Sequence, residues 1–340
     1  MYGSDKTTNH SLRIMQDGKM RMVNGRLPIG SDGIPETGFN RNWWVGLELM
    51  HTLFVSEHNA IADHLKQNHP NWSDERLFQT ARLINAALMA KIHTVDWTPA
   101  ILKNYTLREA MFANWRGFLP YGFPEFGNPA TDGIMGGERD LAAVPFSLTE
   151  EFTALYRMHP LLRDSLQVRN YQNNNLLTTS NTQDHAFQGA TALTDTYGLT
   201  NLFYSFGLNP ITDFTDITPN SALAEKLRDI YNDDVEMIDV MIGSYAEGYR
   251  PPGYGFGETS FQIFIAMASR RLMADRFFTD DFRAEIYSAE GLDWVDDNNF
   301  QTVLIRHMPE LAGQLEKVEN PFFPWDEENE WFLEEYRVRR

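Results

Sequence analysis

The chain has no cysteine. Disulfides, thiolate nucleophiles, zinc–thiolate sites and cysteine-ligated haem are excluded at once. Basic residues are scarce: 29 Lys and Arg stand against 47 Asp and Glu, a formal net charge of −18. That balance argues against nucleic acid and against an anionic membrane surface as principal partners. No apolar run approaches the roughly 20 residues of a membrane span, which leaves peripheral membrane contact only. The N-terminus, MYGSDKTTNHSLR, lacks the apolar stretch and cleavage site of a signal peptide, so a cytoplasmic location is expected. The sequons Asn71-Trp72-Ser73 and Asn104-Tyr105-Thr106 are then chance occurrences. Sustained strand-like alternation and internal repeats are also missing. What abounds is aromatic: 23 Phe, 13 Tyr and 8 Trp among 340 residues. A chain of this length holds two domains or one large helical one, with a core able to enclose a sizeable apolar ligand.

Residues 1–40 are polar and punctuated by NGR and IGSDGIPETG, which predicts a loop arm with no core of its own. A helix is predicted over 43–67, with Leu47, Met50, Phe54, Ile61 and Leu65 on one face. Its His51 and His58 read as half-buried polar positions, because a helical zinc pair lies one turn apart rather than two. Ser73 caps the next helix, with Asp74 and Glu75 in the first turn. Leu77, Ala81, Ile84, Leu88 and Ile92 carry its stripe to His93. Thr98-Pro99 predicts a restart, a cap followed by a first-turn proline. His93 and Thr98 then meet across a junction, either as a site or as satisfied core groups.

Residues 117–146 are Gly/Pro-rich and read as a loop. SLTEEFTALYRMH, 147–159, reads as a helix opened by a Ser147/Glu150 capping box and closed by Pro160. Tyr156 and His159 are neighbours on its apolar face, as site or as packing. Residues 170–184 read as a polar excursion, with helices resuming over 190–206 and 223–242. The glycines of 253–257 follow no strand, so a turn is the reading rather than a nucleotide fingerprint. The helix from Thr259 to about Phe277 is the most apolar, yet carries Arg270 and Arg271. One of the two must approach the core and needs an anion there, a structural carboxylate or a ligand's. Residues 320–340 read as a surface wrap. The class is mainly α.

HTLFVSEHNAIAD followed by DERLFQTARLINAALMAKIH resembles the animal haem peroxidase superfamily. FTALYRMHPLL is similar to the cyclooxygenase segment bearing a radical tyrosine and a proximal histidine. HTVDWT, VPFSLTEEF, LYRMH and ETSFQIFIAMASRRLMADRFFT more closely resemble the fatty acid α-dioxygenases, collinearly over nearly the whole chain. The resemblance implies a polar arm over 1–42 and one helical haem peroxidase-like domain over 43–340. It implies haem b with His159 as proximal iron ligand. It implies Tyr156 as the radical that takes hydrogen from C2 of a long-chain fatty acid, with O2 inserted to give a 2-hydroperoxide. His93, Thr98 and Arg271 match the family's carboxylate-binding residues, which would place C2 at the tyrosine. Arg41, in FNRNWW, matches a family Arg-Asn run and receives no role. Two departures stand out. The family's distal histidine, a nearby glutamine and its calcium loop lie upstream of the Tyr-Gly found here as Tyr2-Gly3, so a truncated domain without calcium ligands is expected. A long stretch that the family carries after Pro210 is also missing. Three readings follow: an α-dioxygenase or its C-terminal catalytic portion, an inactive haem- or lipid-binding relative, and a non-catalytic helical interaction protein.

Overall fold

A computed structural model describes residues 1–31, 33–38, 45–101, 105–116, 150–156, 165–169, 176–181, 213–251, 254, 256–264, 274–318 and 320–322. Its centre is a helical hairpin, α2 (Val45–Asn68) against α3 (Asp74–Lys91). Ser73 caps α3 as its sequence requires, its hydroxyl accepting from the Arg76 N–H. The predicted stripe is the buried one: Leu77, Ala81, Ile84 and Leu88 are wholly inaccessible and Ile92 nearly so. Each of these leucine and isoleucine side chains contributes about 1.5–3 kcal/mol on leaving water. On α2, Phe54, Ile61 and Leu65 are buried as expected, whereas Leu47 is partly covered and Met50 exposed.

The arm begins with α1 (Lys6–Ser11), capped by Asp5. It has no core of its own: Leu12, Met20 and Leu27 pack on Val55 of α2 and Phe78 of α3. Arg13 is buried there and donates to Asp74 (2.7 Å) and Glu75 (2.6 Å). Gly18 adopts φ +74°, and a Cβ at this position would meet the Phe78 backbone nitrogen at 2.6 Å, so only glycine fits.

His58 corrects the sequence expectation. It is completely buried, not half-buried. Its Nε2 lies 2.8 Å from the Gly18 carbonyl, which can only accept, so Nε2 carries the proton. Nδ1 is then a lone pair and accepts from the Tyr2 hydroxyl at 2.9 Å. The Tyr2 oxygen in turn accepts from Asn85 Nδ2. Burial pushes the His58 imidazole down to about 4. His51 is half-buried as expected, and burial lowers it to about 4 as well.

Beyond α3 come α4 (Thr98–Ile101), α5 (Tyr105–Arg116) and α6 (Glu150–Leu155). The polar 170–184 region departs from expectation. Strand β1 (Ser165–Arg169) pairs antiparallel with β2 (Leu176–Asn181), from Ser165↔Asn181 to Arg169↔Leu176. Val168 and the threonines of LLTTSN suit strands, but both runs are too short to show a period.

The helix expected over 223–242 is divided. After α7 (Phe214–Ile217), α8 (Ser221–Ile230) stops at a turn in which Asn232 and Asp233 take φ of 53° and 58°. Asn and Asp tolerate this left-handed region, and Asp239 then caps α9 (Val240–Ala246). Helix α10 spans 258–264. Finally α11 (Ala284–Tyr287), α12 (Ala289–Asp297) and α13 (Phe300–His307) return to cover the hairpin, followed by α14 (Ala312–Leu315). Lys91, at the end of α3, is buried against the end of α12, where its ammonium donates to the carbonyls of Val295, Asp296 and Asn298 at 2.7–2.9 Å. A cation at a helix C-terminus is favoured there by the dipole as well. Among the described residues no helix is long and apolar enough to cross a membrane. Ser147, the 117–146 loop, the 190–206 helix and the tail beyond Phe322 lie outside the described residues.

Candidate active site

The first component is the junction after α3. The sequence predicts a break with Thr98 as cap, but the chain does not break. Residues Ile92–Trp97 widen into a π-helical turn, and Thr98 already has helical φ −61°, ψ −46°. The reason lies in the hydrogen bonds. The Thr98 N–H reaches back to the carbonyl of His93, and the Thr98 hydroxyl donates to the same oxygen at 2.7 Å. Thr94 likewise donates to the Ala90 carbonyl at 2.8 Å. Hydroxyl groups that bond back along a helix loosen its regular ladder, and single π turns recur at functional sites. The turn is pinned from outside. The Asp96 carboxylate accepts the Phe300 N–H at 3.0 Å, and Asn320 donates to the Asp96 carbonyl at 2.7 Å. Burial raises the Asp96 carboxyl above its ordinary range.

On the inner side of this turn His93 stacks on Trp97, with ring centroids 4.7 Å apart and planes at 27°. Burial lowers the His93 imidazole, which favours its neutral form. Thr98 is buried, and its single proton is committed to the His93 carbonyl; its oxygen lone pairs remain for an incoming donor.

The second component is α6, whose helical spacing sets Tyr156 one turn after Phe152. The Tyr156 N–H donates to the Phe152 carbonyl at 2.9 Å and the two rings lie 4.2 Å apart. The third is α10, opened by Glu247, which accepts the Thr259 N–H at 3.0 Å and the Thr259 hydroxyl. Burial raises the Glu247 carboxyl. Gly257 is required beside it, because a Cβ there would overlap the Glu247 carboxylate.

These segments converge on one aromatic cluster. Tyr254 and Phe264 are its buried members, and Trp97, Leu107, Tyr156, Phe256 and Phe261 pack around them. Tyr156 stacks on Phe264 at 5.6 Å with planes 11° apart. The Tyr254 hydroxyl is paired with Ser260 at 2.9 Å. A line of rings therefore runs from the His93 imidazole through Trp97 and the Tyr254–Phe264 pair to the Tyr156 phenol. Of the residues singled out from sequence, His93, Thr98 and Tyr156 are brought to this cluster or its rim. His159, Arg271, Arg270 and Arg41 lie outside the described residues. Trp97, Tyr254 and Phe264 escaped the sequence reading. The signal for Tyr254 and Phe264 was the run of aromatics in GYGFGETSFQIF, read there only for its glycines and its helix; Trp97 stood within HTVDWT beside the residues that were singled out. An open cleft of about 370 Å³ between the arm and α3, lined in part by Tyr2, Lys6 and Arg82, shares no residue with the cluster. Among the described residues no three His, Asp or Glu side chains are grouped to hold a metal ion.

Comparison with known proteins agrees with this architecture. A sequence model of the animal haem peroxidase family matches residues 1–209 and 198–322. The chain is 33% identical to alpha-dioxygenase PIOX of Oryza sativa subsp. japonica, over 96% of this chain and 64% of that protein. The crystal structure of an Arabidopsis thaliana fatty acid alpha-dioxygenase matches with a TM-score of 0.82 at 30% identity, covering 96% of this chain and 62% of that one. A tyrosine-to-phenylalanine variant of the Oryza sativa fatty acid alpha-dioxygenase, solved with palmitic acid, matches with a TM-score of 0.81 at 30% identity, over 96% and 66%. The chain spans 62–64% of the length of these curated plant relatives. By the extent of the family match and by its helical fold, the chain belongs to the animal haem peroxidase family.

Proposed function

We propose that this chain is the catalytic portion of a haem-dependent fatty acid α-dioxygenase, acting on a long-chain fatty acid and O2. The observation that carries the reading is the convergence of the His93 turn and Tyr156 on one aromatic cluster from segments far apart in sequence. The relative solved with palmitic acid supports the substrate class. The residues suit the cofactor in kind: haem asks the protein for an axial imidazole and an apolar surround, and the sequence offers His159 three residues beyond an aromatic-walled tyrosine. Haem held by His159 would supply the oxidising power that first removes a hydrogen atom from Tyr156.

The protein's own part is then positional. The Tyr156 phenoxyl takes the C2 hydrogen atom and becomes a phenol again. O2 adds to the carbon radical, and the resulting peroxyl recovers the hydrogen from Tyr156, giving the 2-hydroperoxide and restoring the radical. His93, Thr98 and Arg271 hold the carboxylate, with Arg271 as the charged partner. A neutral His93 donates one N–H to it, and Thr98 joins once its hydroxyl leaves the His93 carbonyl. Fixing the carboxyl end near Tyr156 selects C2 by proximity.

The test uses haem-reconstituted protein and palmitic acid. Oxygen uptake is expected in the wild type and absent in Tyr156→Phe, with the Soret band retained. The Soret band is expected to be lost in His159→Ala. Haem binding without uptake, even after peroxide priming, would replace this reading by a non-catalytic haem-binding relative; no haem binding at all would favour a helical interaction protein.

A further inference from the structure

The carboxylate clamp and the radical tyrosine proposed above stand on different segments, and one side chain bridges them. The Trp97 indole stacks on His93 at 4.7 Å. It also packs on the Tyr254–Phe264 cluster, on which Tyr156 stacks through Phe264 at 5.6 Å. Trp97 is held in turn by a backbone with little freedom. Its neighbour Asp96 is tied through its carboxylate to Phe300 and through its carbonyl to Asn320. Thr98, on the other side, closes the turn onto the His93 carbonyl with both its N–H and its hydroxyl.

We propose that Trp97 is a positioning residue that sets the register between His93 and Tyr156, and thereby the carbon from which hydrogen is taken. This rests on the reading of His93 and Tyr156 given above. An imidazole stacked on an indole keeps its ring plane, since rotation about its outer torsion breaks the stack; that torsion is otherwise broad. A carboxylate bonded to a ring of defined plane has a defined place. Along an acyl chain, neighbouring carbons are about 1.5 Å apart, the length of a C–C bond. A clamp loosened by that distance presents C3 where C2 belongs, and misplacement of about 1 Å costs on the order of 100-fold in rate. Trp97 touches neither the scissile C–H bond nor O2; it acts through His93 and through the cluster behind Tyr156.

The experiment compares wild type, Trp97→Leu and Trp97→Phe as haem-reconstituted full chains with palmitic acid. In Trp97→Leu the Soret band is expected to persist, kcat/KM to fall by about tenfold or more, and oxidation to spread from C2 to C3. Trp97→Phe keeps an aromatic face and should restore a single C2 product. A second measurement needs no turnover: in ¹⁵N-histidine spectra the His93 signals should shift and broaden in Trp97→Leu and return in Trp97→Phe. C2 product alone from Trp97→Leu, with unchanged His93 signals, would overturn the proposal, whatever the loss of rate or of thermal stability. If the wild type takes up no oxygen, the functional reading falls by itself; unchanged His93 signals in Trp97→Leu would then still refute the positioning role.

Discussion

Around the α2–α3 hairpin the buried interior is threaded with charge; around Tyr156 the described interior is built of rings. Glu57 is completely buried and accepts from Trp294 Nε1 at 2.9 Å, Arg306 Nη1 at 2.5 Å and His307 Nε2 at 2.7 Å. Lys91 and Arg13 are nearly as deeply buried; three carbonyls hold the Lys91 ammonium and two carboxylates hold the Arg13 guanidinium, whose Nε alone lacks a partner. The aromatic cluster relies instead on stacking, with the neutral Tyr254–Ser260 pair as a polar contact within it. Directional, fully paired polar networks specify one arrangement, because each wrong one strands a charge. Stacked rings are less exacting and make an apolar wall without a fixed hydrogen-bond pattern. The scaffold therefore carries the polar specification, and the region around Tyr156 is free to be apolar.

The largest expected effect tests the charged side. Glu57→Ala takes the shared buried acceptor from Trp294, Arg306 and His307 and leaves a void in its place, and should lower unfolding free energy by about 2–4 kcal/mol. Urea denaturation measures it; a loss under 1 kcal/mol would mean that the network adds little. Lys91→Met keeps the packed stem but strands three carbonyls at the end of α12, for about 1–3 kcal/mol. Both changes should leave the Soret absorbance per folded molecule unaltered. On the aromatic side the balance reverses. Phe264→Leu is a modest change of volume and should cost below about 1.5 kcal/mol, while removing the ring on which Tyr156 stacks. Oxygen uptake should fall far more than stability does, and equal losses would erase the contrast between the two regions.

A smaller effect concerns pH. His58 has a folded value of about 4 against an ordinary 6.5. Between these values the unfolded chain binds the extra proton and the folded chain does not, so stability is complete above pH 6.5 and is lost as pH falls toward 4. The slope from one proton is at most about 1.4 kcal/mol per pH unit. His51 contributes in the same direction. Glu57 acts lower: burial raises it, but the hydrogen bond from His307, the charge and hydrogen bond of Arg306 and the hydrogen bond from Trp294 bring it below its ordinary 4.5. Its contribution is therefore lost only as pH falls beneath that range. His58→Gln should flatten the stability curve between pH 4 and 6.5 and leave the more acidic limb intact. An unchanged slope in that window would refute the assignment to His58.

The same contrast explains which features could be read along the chain. The α3 stripe and its Ser73 cap were legible because both depend on residues within a few turns of one another. His58 was misjudged because Tyr2 and Gly18, which satisfy it, lie 56 and 40 residues away. The Thr98 break was misjudged because Thr-Pro spells a helix start unless the hydroxyl bonds backward, a choice made by the Asp96 and Asn320 contacts outside the turn. The division of 223–242 was written in Asn232-Asp233, a left-handed turn masked by flanking apolar residues. In the candidate site, the family motifs point to His93, Thr98 and Tyr156 one by one, whereas the stack between the first and the last has no local pattern. Trp97, Tyr156 and the Tyr254–Phe264 pair meet only once three segments fold together.

The smallest effect separates the arm from the hairpin it covers. Tyr2→Phe removes one hydroxyl and keeps the ring, which lies edge-on to Phe78 at 6.0 Å. His58 Nδ1 loses its donor, while Asn85 Nδ2 keeps the Phe54 carbonyl at 2.9 Å. One acceptor, His58 Nδ1, and one of the two Asn85 Nδ2 hydrogens therefore lose their partner, and the expected loss is about 1 kcal/mol. The denaturant dependence should not change, since no additional surface is exposed on unfolding. If Tyr2→Phe instead lowers that dependence and frees the arm to proteolysis, the hydroxyl is the latch of the whole arm rather than one bond among many. The buried Leu12, Met20 and Leu27 argue for the smaller outcome, because their contact with Val55 and Phe78 holds the arm without it.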